Sequence, residues 1–164
     1  MSQPTVSFES LNFPGYYIRH RNFVGALTEA KSDLDRNDAT FFGGRPALGS
    51  SVVFRSVNWP TFRLRHENFV IKLQEELLIV DRNRPPTFLT PESELYQADS
   101  TFIVEAGLAD PAAVPFRVAN FPRYIRHRNF HLYLQEATDS LSKADSTFKV
   151  TTGLIAGPPD PQLG

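Results

Sequence analysis

The chain writes one phrase three times: YYIRHRNF at residues 16–23, FRLRHENF at 62–69 and RYIRHRNF at 123–130. A short repeated unit cannot bury its own apolar face, so the copies must pack on one another. That limits the fold more than any single composition value does. The copies extend beyond the phrase. The first opens SFESLNFPGYYIRHRNFVGAL and returns with DATFF. The second opens VVFRSVNWPTFRLRHENFVIKL and returns with DSTFIVEAGL, and the third opens VPFRVANFPRYIRHRNFHLYL and returns with DSTFKVTTGL. Histidines fall at 20, 66 and 127, which are 46 and 61 apart, while the returning aspartates fall at 38, 99 and 145, which are 61 and 46 apart. The swapped differences place one insertion of 15 residues in the second copy, within QEELLIVDRNRPPTFLTPESELYQ.

Each copy reads as four strands punctuated by turns. The first strand centres on Phe8, Phe54 or Phe116, and an Asn-x-Pro turn follows at Asn12/Pro14, Asn58/Pro60 and Asn120/Pro122. Proline presets φ and restrains its predecessor, while asparagine tolerates turn geometry. The second strand carries Ile18, Leu64 or Ile125 and stops at a tight turn over Asn22, Asn68 or Asn129. The third alternates apolar residues, as in Phe69, Ile71 and Leu73 or Phe130, Leu132 and Leu134. A polar loop leads to Asp-(Ala/Ser)-Thr-Phe and the fourth strand.

About twelve short strands in three units point to an all-β domain closed with threefold pseudo-symmetry, a β-trefoil, because closure leaves few exposed edges. A three-bladed propeller falls below the usual range of about 4–8 blades. The expected organisation is a single domain over 1–164, with repeats at about 6–50, 51–112 and 113–156 and a loose tail at 157–164. QEELLIV at 74–80 suggests an added helical turn inside the insertion.

Seventeen basic and eighteen acidic residues leave a net charge of -1, which argues against bulk attraction to nucleic acid or an anionic membrane. There is no cysteine, hence no disulfide and no thiolate metal site. No apolar run approaches the roughly 18–20 residues that span a bilayer. The first ten residues, MSQPTVSFES, lack the basic start and apolar stretch of a signal peptide. The expected location is therefore cytoplasmic, or secreted if Met1 is not the natural start.

The scaffold does not require an imidazole at one strand end and a carboxylate at the entry of another in all three copies. Alternation puts His20 on the face of Ile18, His66 on that of Leu64 and His127 on that of Ile125. Each histidine then reaches the rim, where Asp38, Asp99 or Asp145 begins the returning segment. A shallow pocket in each unit would pair a directional imidazole with a carboxylate able to accept from neighbouring sugar hydroxyls. The alternative is structural: an Asx-type turn for the aspartate and a satisfied carbonyl for the histidine. One His and one Asp per unit are too few for a standard zinc site, and no cofactor is implied. The arginines at 19, 21, 63, 65, 123, 126 and 128 read as solvated faces and local salt bridges. Trp59 replaces Phe13 and Phe121 of the other copies, as a packing variant or a ligand-stacking aromatic.

The threefold combination of SFESLNFPGYYIRHRNF, DSTF and a closing GL, over about residues 6–156, resembles the arabinose-binding domain of α-L-arabinofuranosidase B, carbohydrate-binding module family 42. The resemblance implies a β-trefoil that binds arabinofuranose side chains of plant arabinan and arabinoxylan. It implies pockets at His20 with Asp38, His66 with Asp99, and His127 with Asp145. It also implies an aromatic directly after the histidine, where this chain has Arg21, Glu67 and Arg128.

The leading expectation is thus a lectin-like binder of an arabinose-containing glycan, without catalytic activity. One alternative is a small-molecule enzyme using a His–Asp pair as acid and base. Glycoside hydrolysis normally needs two carboxylates flanking the bond, whereas each unit offers one. Another alternative is a protein-interaction domain with inactive pockets. Oligomeric state is not legible in the sequence.

Overall fold

The computed structural model describes residues 2–76, 91–107 and 113–159. The first copy supplies β1 (Thr5–Ser10), β2 (Tyr16–Arg21), β3 (Val24–Glu29) and β4 (Phe41–Phe42). The second supplies β5 (Ser51–Val52), β6 (Phe62–Glu67), β7 (Val70–Glu75) and β8 (Phe102–Val104). The third supplies β9 (Val114–Val118), β10 (Tyr124–Arg128), β11 (His131–Gln135) and β12 (Thr147–Thr152). A helix precedes each fourth strand: α1 (Asp33–Asp38), α2 (Pro91–Asp99) and α3 (Ser140–Asp145).

The strands do not form the expected β-trefoil of three equal four-strand units. Pairing runs β10-β11-β7-β3-β2-β1-β12-β9 and closes through β9–β10, giving an eight-strand antiparallel barrel with extra strands. Outside the ring, β8 and β5 extend from β9, β4 pairs with β1, and β6 pairs with β7. The second copy explains the asymmetry. Its first strand has shrunk to Ser51–Val52, and Phe54 lies between this fragment and an isolated Arg55–Arg63 bridge. Only β7 of that copy therefore enters the ring, against three strands from the first copy and four from the third. The repeat survives at one end, where β3, β7 and β11 pair mutually.

The β2–β3, β6–β7 and β10–β11 hairpins each turn over two residues with positive φ: Asn22 and Phe23 at 51° and 63°, Asn68 and Phe69 at 52° and 61°, and Asn129 and Phe130 at 51° and 64°. Two left-handed residues in a two-residue loop make a type I′ turn, whose twist matches the flanking strands. Phe69 and Phe130, expected on the third strand, therefore sit in the turn and are exposed. In the second copy Gln74 and Glu75 end β7 rather than opening a helical turn, and residues 77–80 lie outside the described residues.

Matched positions meet in the core. Phe8, Phe54 and Phe116 are fully buried and stand edge-on to one another, with ring centroids 4.9, 5.2 and 5.1 Å apart. Phe41, Phe102 and Phe148, three residues after the returning aspartates, are buried against them. Near the mutual contact of β3, β7 and β11, the matched residues are Gly25, Ile71 and Leu132. A Cβ on Gly25 would stand 2.9 Å from Ile71 Cγ2 and 3.1 Å from Leu132 Cβ, so two large residues require an empty third place. The expected loose tail is held at its start: Gln3 N–H donates to the Pro158 carbonyl at 2.9 Å, and Ser2 bridges Pro159.

Candidate functional site

Each returning aspartate is the last residue of a short helix. Ser32 starts α1 with a capping box: its hydroxyl accepts from Asp35 N–H at 3.0 Å, and Asp35 accepts from Ser32 N–H at 3.2 Å. Asp139 and Ser142 make the same exchange at α3. These helices lie over the outer faces of the hairpins. They cover Arg19, Arg65 and Arg126, which make the local salt bridges expected of them but are largely buried rather than on solvated faces.

The structure brings each expected His–Asp pair together and adds an arginine and an asparagine. In the first unit Arg19 pairs with Asp38 Oδ2, and Asn58 Nδ2 donates to Oδ1 at 2.7 Å. His20 Nε2 lies 3.0 Å from Asn58 Oδ1 and 3.6 Å from Asp38 Oδ1. In the second unit Arg65 pairs with Asp99, Asn120 donates to Asp99 at 2.9 Å, and His66 Nε2 lies 3.0 Å from Asp99 Oδ1 and 3.2 Å from Asn120 Oδ1. In the third unit Arg126 pairs with Asp145, Asn12 donates to Asp145 at 2.8 Å, and His127 Nε2 lies 2.8 Å from Asn12 Oδ1 and 3.4 Å from Asp145 Oδ1. Each asparagine amide turns its NH2 to the carboxylate, leaving its oxygen to the histidine. The groups facing Nε2 are thus acceptors, and Nε2 carries the hydrogen.

The asparagine always comes from another copy, so the three knots tie the repeats cyclically. Sequence reasoning treated Asn12, Asn58 and Asn120 as turn residues; their recurrence at one register was the available signal. Ser56 and Ser10 join the first and third knots, at 3.0 Å from His20 and 3.3 Å from His127. Val118 holds the matching place in the second.

All six His and Asp residues are buried, at 6% exposure or less. A carboxylate offers about four lone-pair positions; arginine and asparagine take two in each unit, and the histidine approaches within 3.0 Å only in the second. Burial holds the His20 and His127 imidazoles below the usual range; their aspartates oppose the shift without cancelling it. Arg19 also pairs with Asp35 and lowers its carboxyl to about 2.

Two open polar clefts lie beside the knots. The first, of about 400 Å³, is lined by Arg19, Asn22, Thr28, Glu29, Asp35 and Asp38 among others. The second, of about 360 Å³, lies between Arg126, Gln135, Glu136 and Ser142 in the third unit. A separate aromatic rim stands at the hairpin ends. Phe23 meets Trp59 and Phe62, Phe130 meets Phe13 and Tyr16, and Phe69 meets Phe121 with Arg123 over its ring.

A repeat-built all-β domain with three buried Arg–Asp–Asn–His knots is the class that these features define. The alpha-L-arabinofuranosidase B (ABFB) domain matches residues 1–89 and again 80–159, and the chain belongs to that family of carbohydrate-binding modules. Among curated protein sequences none matches it. Its fold is similar to that of a GH54 α-L-arabinofuranosidase soaked with a cyclic sulfate inhibitor, with TM-score 0.73 and 20% identity over 94% of this chain and 32% of that one. It is equally similar to an arabinofuranosidase complexed with arabinofuranosyl-α-1,2-xylobiose, with TM-score 0.72, 20% identity and the same coverage. The likeness extends to Cry35Ab1, with TM-score 0.62 and 9% identity over 98% of this chain and 39% of that one. The chain thus spans about a third of the length of the arabinofuranosidase structures.

Proposed function

We propose that the chain binds arabinofuranose-type side chains of plant polysaccharides, with the sugars seated in the clefts beside the knot arginines Arg19 and Arg126. The observation that carries this reading is the first-unit cleft. There Asp38, Asp35 and Glu29 offer acceptors, and Arg19 and Asn22 offer donors, around a volume in the range of small-molecule sites. This donor and acceptor mixture suits neutral polyols. Asp38, held by Arg19 and Asn58, keeps a lone pair for a hydroxyl in the first-unit cleft, and Asp145 holds Arg126 at the wall of the third. Family membership and the arabinofuranosyl complex of a similar structure support the choice of sugar. Trp59, 45% exposed, adds a surface on which a sugar face can stack.

Affinity electrophoresis in branched arabinan tests the assignment. The wild type should be retarded, while His127→Ala and Asp145→Asn, each checked for folding by circular dichroism, should lose retardation in proportion to the sites removed. Undiminished retardation of both folded variants would refute the site.

A second reading rests on the burial of the knots. If they only tie the repeats together, the domain is a protein-interaction module, and no glycan retards it.

A further inference from the structure

The three units differ three residues before the helix-terminal aspartate. That place holds Asp35 in the first unit, Tyr96 in the second and Ser142 in the third. The short polar residues leave the space beside Arg19 and Arg126 open, and both line the clefts described above. Tyr96 does not. It is 3% exposed, the Arg65 guanidinium carbon lies 5.7 Å from its ring centroid, and its hydroxyl donates to the Gln74 carbonyl at 3.0 Å.

Arg65 corresponds to Arg19 and Arg126, and Gln74 to Thr28 and Gln135. The phenol therefore lies across the two walls that bound the open clefts elsewhere. Burial raises the Tyr96 hydroxyl to about 12, so it remains a donor to Gln74 throughout the physiological range. Arg63, which the other units replace with Tyr17 and Tyr124, stands against the same ring at 5.9 Å and bonds to Gln97 and Glu76. A ligand entering here would have to displace a packed ring and break a satisfied hydrogen bond.

We infer that the domain is bivalent: the first and third units bind arabinofuranosyl groups, and Tyr96 closes the second. This rests on the proposed function and assigns its valency. Two live sites in one domain bind a branched polymer through effective concentration, while each site alone remains weak.

The test is stoichiometry, read by native mass spectrometry and isothermal titration with arabinofuranosyl-xylobiose. The wild type should take two ligands. Asp99→Asn should still take two, Asp145→Asn should take one, and Tyr96→Ser should take three. On branched arabinan, Asp145→Asn should lose about tenfold or more in apparent affinity as avidity disappears. If Tyr96→Ser does not fold, the wild-type count and the Asp99→Asn and Asp145→Asn comparison still decide. One or three ligands on the wild type, or loss of a ligand in folded Asp99→Asn, overturns bivalency while leaving the binding function intact. No binding by the wild type overturns both.

Discussion

Asn58, in the turn of the second copy, donates to Asp38 Oδ1 at 2.7 Å and faces His20 Nε2 at 3.0 Å through its amide oxygen, closing a knot that belongs to the first copy. The same exchange links Asn120 to Asp99 and His66, and Asn12 to Asp145 and His127. Removing the amide strands a buried carboxylate and an imidazole together, and an unsatisfied buried polar group costs about 1–3 kcal/mol. Asn58→Ala, Asn120→Ala and Asn12→Ala should each destabilise by about that amount in urea unfolding. A loss below about 0.5 kcal/mol in all three would show that the knots do not hold the copies together.

Gly25 makes the second prediction. Gly25→Ala drives a methyl into Ile71 and Leu132 and should cost about 1–3 kcal/mol, the usual range for overpacking. Ile71→Ala removes the Cγ2 atom it meets. The double variant should therefore be less unstable than the sum of the single ones, a coupling that a denaturation cycle measures directly.

The exposed turn phenylalanines should behave unlike those of the core. Phe23 occupies φ 63°, where a bulky residue is disfavoured and glycine is not. Phe23→Gly gains backbone relief as it loses contact with Trp59 and Phe62, so stability should change by less than about 1 kcal/mol. Phe54→Ala, at the centre of the phenylalanine triangle, should cost about 3–5 kcal/mol. Similar losses for the two would contradict the assignment of Phe23 to the rim.

The buried histidines set a pH dependence. His20 and His127 titrate below their ordinary value in the folded chain because burial disfavours the cation. Above about 6.5 the imidazoles are neutral in both states. Below that value the unfolded chain takes up protons first, so stability falls as pH decreases toward the lower folded values. The melting temperature should drop between pH 7.5 and 5, and His127→Gln should flatten that drop. An unchanged slope in the variant would exclude His127 as a contributor.

The repeat, the matched core phenylalanines and the convergence of His20 on Asp38, His66 on Asp99 and His127 on Asp145 were legible in residue spacing. Closure was legible but its form was not: an eight-strand ring replaces the expected β-trefoil, because strand pairing between copies leaves no trace in their internal alternation. Alternation also cannot distinguish a first strand residue from a turn residue, so Phe69 and Phe130 read as strand until positive φ placed them in the turn. The salt bridges of Arg19 and Arg126 agree with expectation, but their burial was not legible, because helices of six residues are too short to show a period and α1 and α3 cover the face those arginines occupy. The capping boxes at Ser32 and Asp139 were the local signal for those helices.

The central claim is recognition of arabinofuranosyl side chains, and isothermal titration with matched xylo-oligosaccharides tests it most directly. Oligosaccharides carrying arabinofuranosyl branches should release saturable heat, and unbranched ones of equal length should release none. Equal binding of both, or of neither, would contradict the account.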